Sequence, residues 1–147
     1  LRLRPLAVPY ATAAATDVAA MLKAVGINVT VSVEQPGTWI DSVFLKADYD
    51  LSIVSHAEAR DLNTYTNPQY YWRYTSAAFN AAWLAADSAS PEEYPEAMKK
   101  AARILADDAA SVWLYMMPNL VVSKATVTGL PKNQTTDSFD VTTITNR

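Results

Sequence analysis

No cysteine occurs among the 147 residues, which removes disulfides, thiolate metal sites and cysteine nucleophiles together. Redox compartment therefore leaves no trace in the composition. Histidine is nearly absent as well. His56 stands alone, so a zinc or nickel site of the multi-histidine type cannot be assembled within the chain, and no cofactor is expected. Basic charge is in short supply: a net charge of −3 and a pI near 5.0 leave no positive face to neutralise phosphates. Nucleic acid is therefore not an expected partner. The longest apolar runs, such as residues 112–117, fall far below the roughly 18 to 20 residues of a membrane span, so no direct membrane insertion is expected. No G-x-S-x-G elbow, solenoid-period repeat or low-complexity block is present.

What remains is ordinary globular material. Half the positions are apolar and 18% are charged, enough for one hydrophobic core and too little charge for disorder. One α/β lobe over residues 1–147 is the expected organisation. The opening Leu1-Arg2-Leu3-Arg4-Pro5 has the character of neither a signal peptide nor a tag, and reads as a chain cut from something longer.

The element order alternates. Leu1, Leu3, Leu6 and Val8 predict a short strand ended by Pro9. A helix capped by Thr12 or Thr16 follows, burying Val18, Met21, Leu22 and Val25 and stopping at Gly26. Ile27, Val29, Val31 and Val33 alternate with polar residues as a second strand. After the Pro36-Gly37 turn, Thr38 caps a second helix with Trp39 or Ile40, Val43 and Phe44 buried, and Leu51, Ile53 and Val54 form a third strand. This βαβαβ order predicts a parallel sheet flanked by helices, with ligands expected beyond the carboxyl ends of its strands.

Beyond the sheet, Ser76 caps a helix bearing Phe79, Ala82, Trp83 and Ala86. A longer helix opens at residues 90–93 with Pro91 in its first turn and buries Tyr94, Met98, Ala101, Ala102 and Leu105. Residues 112–117 and 120–122 are expected as strands or extended crossings. The threonine-rich tail, 130–147, carries one apolar phase at Phe139, Val141 and Ile144 and is expected to need a partner surface.

Between the third strand and Ser76 lies a stretch without periodicity, long enough to be functional or to cover something. It opens with His56, Glu58, Arg60 and Asp61. An Arg can clamp a carboxylate in two-pronged fashion while acidic groups receive an ammonium, a mixture suited to zwitterionic ligands. Arg60 pairing with Glu58 or Asp61 simply to shape the loop is the equal alternative. Ser55 and His56 are neighbours on a strand and point to opposite faces, so a nucleophile and base are not expected there. Tyr65, Tyr71 and Trp72, among Tyr70 and Tyr74, supply rings that wall a cleft or plug the core. Tyr10, just after the first strand, is a further candidate for the ligand side. Trp39, Trp83 and Trp113 sit in periodic positions and are expected in the core.

The series Met21-Leu22-Lys23-Ala24-Val25-Gly26-Ile27-Asn28-Val29, Trp39, Tyr49-Asp50-Leu51, Tyr74-Thr75-Ser76-Ala77-Ala78-Phe79-Asn80, Val112-Trp113-Leu114-Tyr115 and Val127-Thr128-Gly129-Leu130 resembles the second lobe of the family 5 extracellular solute-binding proteins. These are the dipeptide, oligopeptide and nickel binding receptors of ABC importers. The resemblance spans nearly the whole chain. It implies a periplasmic-binding-protein type II lobe, with the tail at 130–147 crossing toward a missing lobe. It also implies a small solute, most simply a peptide, a permease as docking partner and an extracytoplasmic, lipoprotein or periplasmic setting. In peptide-binding members a Trp and then an Asp that holds the ligand's amino terminus follow the Tyr-Asp strand. Here His56 stands at the Trp position, Glu58 or Asp61 stands for the Asp, and Leu62-Asn63-Thr64 replaces Asp-Pro-Asp. A sensor or interaction module on the same fold is the second expectation, and a hydrolase the third.

Overall fold

The computed structural model describes residues 1–56, 60–118, 120–131 and 140–147. The chain divides into two compact units, Leu1–Ser111 and Val112–Arg147.

In the first unit a short strand β1, Arg2–Leu3, pairs in parallel with β2, Thr30–Val31. Single parallel bridges extend the arrangement at Leu6 with Glu34 and at Leu3 with Leu51. The Thr30, Ser32 and Glu34 amides donate to the carbonyls of Leu1, Leu3 and Pro5. On its other edge β1 gives the Arg4 amide to Leu51 O (2.8 Å) and the Leu6 amide to Ile53 O (3.3 Å). Odd-numbered residues of β1 thus bond to one neighbour and even-numbered residues to the other, which places β1 between β2 and the extended segment 51–53; the third strand expected at Leu51, Ile53 and Val54 is reduced to a single bridge at Leu51.

The same alternation sorts its side chains. Leu3 and Pro5 are fully buried. Arg2 and Arg4 project to the opposite face, where carboxylates from both neighbouring strands meet them. Arg4 Nε lies 2.8 Å from Glu34 and its Nη1 2.9 Å from Asp48, while Arg2 contacts Asp48 at 2.5 Å and Asp50 at 3.4 Å. The Arg4 hydrogen bond holds the Glu34 carboxyl below its ordinary range. The Arg2 side chain does the same for Asp48, and the Arg2 backbone amide, followed by its side chain, for Asp50.

Helix α1, Pro9–Ala24, connects β1 to β2. Pro9 opens it in the first turn, where a missing amide costs nothing. Thr12 and Thr16 lie inside the helix, contrary to the capping expected of them, and the Thr16 hydroxyl donates to Thr12 O. The buried face is also corrected. Ala11 and Ala15 are fully buried, whereas Met21 and Val25 stand about 70% exposed. The physical reason is close approach: side chains no larger than a methyl let the helix backbone settle against its neighbours. Gly26 ends the helix at φ +86° and donates to Lys23 O.

Helix α2, Pro36–Trp39, runs directly into a π-helix over Ile40–Leu45. Pro36, and no side-chain cap from Thr38, begins it. Trp39 and Val43 are buried while Ile40 is exposed, which decides the sequence alternative in favour of Trp39. A 3₁₀ helix, Asp61–Thr66, then leads to the hairpin of α3, Ala77–Asp87, and α4, Tyr94–Asp107. Ser76 Oγ accepts the Phe79 amide at the start of α3. Before α4, Ser90 and Glu93 exchange backbone and side-chain hydrogen bonds as a capping box. Pro95 rather than Pro91 falls in the first helical turn, and Tyr94 is exposed, leaving Ala101 and Leu105 as the buried stripe.

Two apolar clusters result. Tyr65, Phe79, Ala82, Trp83, Ala101 and Leu105 form one; Trp39, Val43 and Tyr71 form the other. Trp72 packs against both.

In the second unit β3, Val127–Thr128, pairs antiparallel with β4, Thr145–Asn146. Gly129 adopts φ +83°, and a Cβ there would collide with the Thr143 carbonyl. The described residues of 112–117 and 120–122 form neither strand nor helix. Trp113, expected in the core, is 55% exposed, and Val141 is exposed too. Phe139 lies outside the described residues. No helix among the described residues is long and apolar enough to cross a membrane.

Two outcomes are expected from this packing. Phe79→Ala removes a fully buried ring shared by α3 and α4 and is expected to cost about 4 kcal/mol in urea denaturation. The carboxylates paired with Arg2 and Arg4 titrate lower in the folded than in the unfolded chain, so the unfolded state binds more protons as pH falls. Their stabilisation is present above the ordinary carboxylate range and is lost below about pH 4.5. Denaturation midpoints measured from pH 7 to pH 3 should show that fall, and Arg4→Ala should lower the neutral-pH midpoint and flatten the acid limb.

Candidate ligand-binding site

Beyond β1 the extended chain runs through Leu6 and Ala7, flanked by the continuation of β2 at Glu34 and by the parallel segment 51–53. The Ala7 amide donates to Glu34 O, holding the exits of β1 and β2 side by side. One turn into α1, the Tyr10 hydroxyl accepts the Ser55 amide at 2.8 Å, tying the helix start to the segment leaving residues 51–53. The sequence singled out Tyr10 and the positions after Val54 separately; the fold joins them.

His56 follows. Its Nδ1 lies 3.1 Å from Asp61 Oδ1 and its Nε2 2.8 Å from the Tyr71 hydroxyl. The imidazole also stacks on the Tyr71 ring, centroids 5.9 Å apart at 18°. Burial pushes the Tyr71 phenol well above its ordinary range. The Asp61 carboxylate can only accept, which places a proton on Nδ1, and in the neutral imidazole Nε2 then accepts from the Tyr71 hydroxyl. The Tyr49 hydroxyl donates to Tyr71 O at 3.0 Å, and burial pushes the Tyr49 phenol up to about 12.

The aperiodic stretch beyond His56 is built of short turns. The Asn63, Asn67, Tyr70 and Arg73 amides each donate to the carbonyl three residues earlier. Asp61 opens the 3₁₀ helix, and the Thr64 hydroxyl bonds to Asp61 O. Arg73 closes the stretch at φ +49°, with its guanidinium on Gln69 and on Leu45 O. Successive turns bring Tyr70, Tyr71 and Trp72 back against Phe44 and His56.

Between them lies an open concavity of about 170 Å³ lined by Trp39, Phe44, Val54, Ser55, His56, Tyr70 and Tyr71. Two of the sequence candidates, His56 and Tyr71, line it. Tyr65 is interior: its ring stacks on Trp72 at 4.1 Å and 15°, and its hydroxyl donates to Ser111 Oγ at 2.6 Å. Trp72 sits behind Tyr70 and Tyr71, its Nε1 buried and without an acceptor among the described residues.

Among the described residues Arg60 does not pair with Asp61. It pairs with Asp87 at the end of α3, with its guanidinium 5.5 Å over the Trp83 ring. Glu58 lies outside the described residues. Among those described, no three His, Asp or Glu side chains gather as a metal-ligand set. Trp39, Phe44 and Val54 line the concavity without having been singled out as ligand residues. Their signal was position alone: each falls within two residues of an element end or of another ring.

In an alkaline titration followed at 295 nm, Tyr49 and Tyr71 are expected to ionise well after the exposed tyrosines, with Tyr65 and Tyr74 also displaced upward by burial. Because their folded pKa values lie above the unfolded ones, the associated stabilisation holds below about pH 10 and is lost as pH rises. Tyr71→Phe should remove one late-ionising group.

Protein-family models, curated proteins and solved structures contain no match to this chain.

Proposed function

We propose that the chain is the ligand-binding lobe of an extracellular solute-binding receptor that delivers peptides or similar small solutes to an ABC importer. The observation that carries the reading is the concavity beyond β1, β2 and the parallel segment 51–53, walled by rings and fixed by the Tyr10–Ser55 and His56–Tyr71 hydrogen bonds. Open α/β sheets bind ligands at this edge. Preset polar groups among aromatic walls are the usual make-up of a small-solute site. The companion lobe, the permease and a lipid-anchored or periplasmic setting belong to the same proposal and rest on the sequence resemblance.

The interaction or sensor module is favoured by a different observation. Tyr65, Tyr71 and Trp72 pack largely on one another and on the core, so the space left to a ligand is small. A hydrolase ranks below both. His56 already engages Asp61 and Tyr71 through its two nitrogens, so an attacking hydroxyl would have to displace one of them.

Calorimetry with a peptide library on the whole receptor, this lobe joined to its companion, tests the proposal. Binding is expected, and His56→Ala and Tyr70→Ala should each weaken it roughly tenfold, about 1.4 kcal/mol. Unchanged affinity in both variants moves the site elsewhere. No binding of any peptide or related solute favours the interaction module.

A further inference from the structure

The part of a solute that meets this edge follows from what the lining offers and withholds; the inference rests on the ligand-binding reading. Among the described residues the concavity has no Lys, Arg, Asp or Glu in its wall. The nearby charges that the sequence offered for a ligand's ends have partners inside the protein. Arg60 is held by Asp87 and the face of Trp83, and Asp61 by His56. An ion placed among Trp39, Phe44, Val54 and Tyr71 would give up part of its hydration without gaining a counter-charge from the wall.

The polar capacity of the wall is largely used as well. The Ser55 amide is given to Tyr10 and the His56 Nε2 to Tyr71. The Ser55 hydroxyl makes no hydrogen bond to a described residue, so it is open to a polar contact. Size sets the remaining limit. A space of about 170 Å³ is close to the roughly 150 Å³ of an apolar cavity that takes up benzene. Its rings already meet edge-to-face, Trp39 on Tyr71 at 5.6 Å and 72°, the geometry in which another ring is received.

We propose that this concavity is a subsite for one uncharged ring or branched alkyl group of the solute, with Phe44 and Val54 setting its size limit and the Ser55 hydroxyl open to a polar contact. The charged ends of a peptide are then held by groups outside this subsite, and selection here works by size and neutrality.

The test uses the isotopically labelled full chain and follows the Ser55, His56, Tyr70 and Tyr71 amide resonances. The probes are phenol, isobutanol, benzoate and benzylammonium. Phenol and isobutanol should give saturable shifts, with both charged probes at least roughly tenfold weaker. Phe44→Ala should admit indole, and Val54→Phe should abolish the response to phenol; circular dichroism checks that both variants fold. Where either does not, the ranking of probes on the unaltered chain decides. Charged probes binding as well as phenol, phenol shifts that survive Val54→Phe in a folded variant, or no phenol response up to its solubility limit each overturn the subsite. Failure of the whole receptor to bind any solute, with phenol still saturating here, overturns the transport reading and leaves the subsite standing.

Discussion

The central strand governs everything else in the first unit. β1 is hydrogen-bonded on both edges, to β2 through its odd residues and to residues 51–53 through its even ones. Its ladders are short, so the side chains share the work of setting register. Leu3 and Pro5 are buried on one face, while Arg2 and Arg4 reach carboxylates on both neighbours from the other. A slip of one residue would drive a guanidinium into the apolar face and expose Leu3. The ion pairs add modest energy where they are exposed. Their larger effect is to make the wrong register expensive, especially at Glu34, which is almost wholly withdrawn from solvent and bonded to Arg4 and Ser32.

Register at the start of the strands fixes geometry at their ends. Leu6 enters the Trp39, Val43 and Tyr71 cluster directly, and Ala7 closes onto Glu34. Trp39 reports back to the sheet: its Nε1 donates to Ser52 Oγ, whose hydroxyl donates to Arg4 O. The same two residues before α1 begins therefore set the position of Tyr10, and through it Ser55. Trp72 carries this order across to the α3 and α4 hairpin by stacking on Tyr65. Its Nε1, without an acceptor among the described residues, costs about 1 to 3 kcal/mol. The ring's contacts with both clusters offset that loss, so Trp72 is retained for packing area rather than for its polar handle.

Much of this was legible in the sequence, for a local reason. Gly26, Ser76 and the alternation of β1 act within a few residues of themselves, and each performs as its chemistry dictates. The face of α1 was misread because periodicity weights Met21 and Val25 by hydrophobicity, whereas Ala11 and Ala15 win by allowing close approach. The Arg60–Asp87 pair was not legible because Asp87 is remote in sequence and adjacent only after α3 folds back. The turns of residues 60–73 carry no apolar period at all, so neither the 3₁₀ helix nor the return of Tyr70 and Tyr71 to His56 was visible. The site was legible as a place, beyond the third strand, and not as a set of residues.

That distinction bears on how the candidate site is to be separated from the core. Tyr71 is buried, forms the second cluster with Trp39 and Val43, and still presents its hydroxyl to His56 and part of its ring to the concavity. The wall that a ligand would touch is thus the outer surface of the core itself. Binding and folding cannot be pulled apart at such a residue, since removing the ring opens a cavity as well as a contact. Ser55 and Tyr70 differ. Ser55 is exposed apart from its amide, and Tyr70 packs at the margin of the cluster. Changes there alter the lining while leaving the buried rings in place, so function is to be read from the margin of the aromatic cluster and stability from its centre.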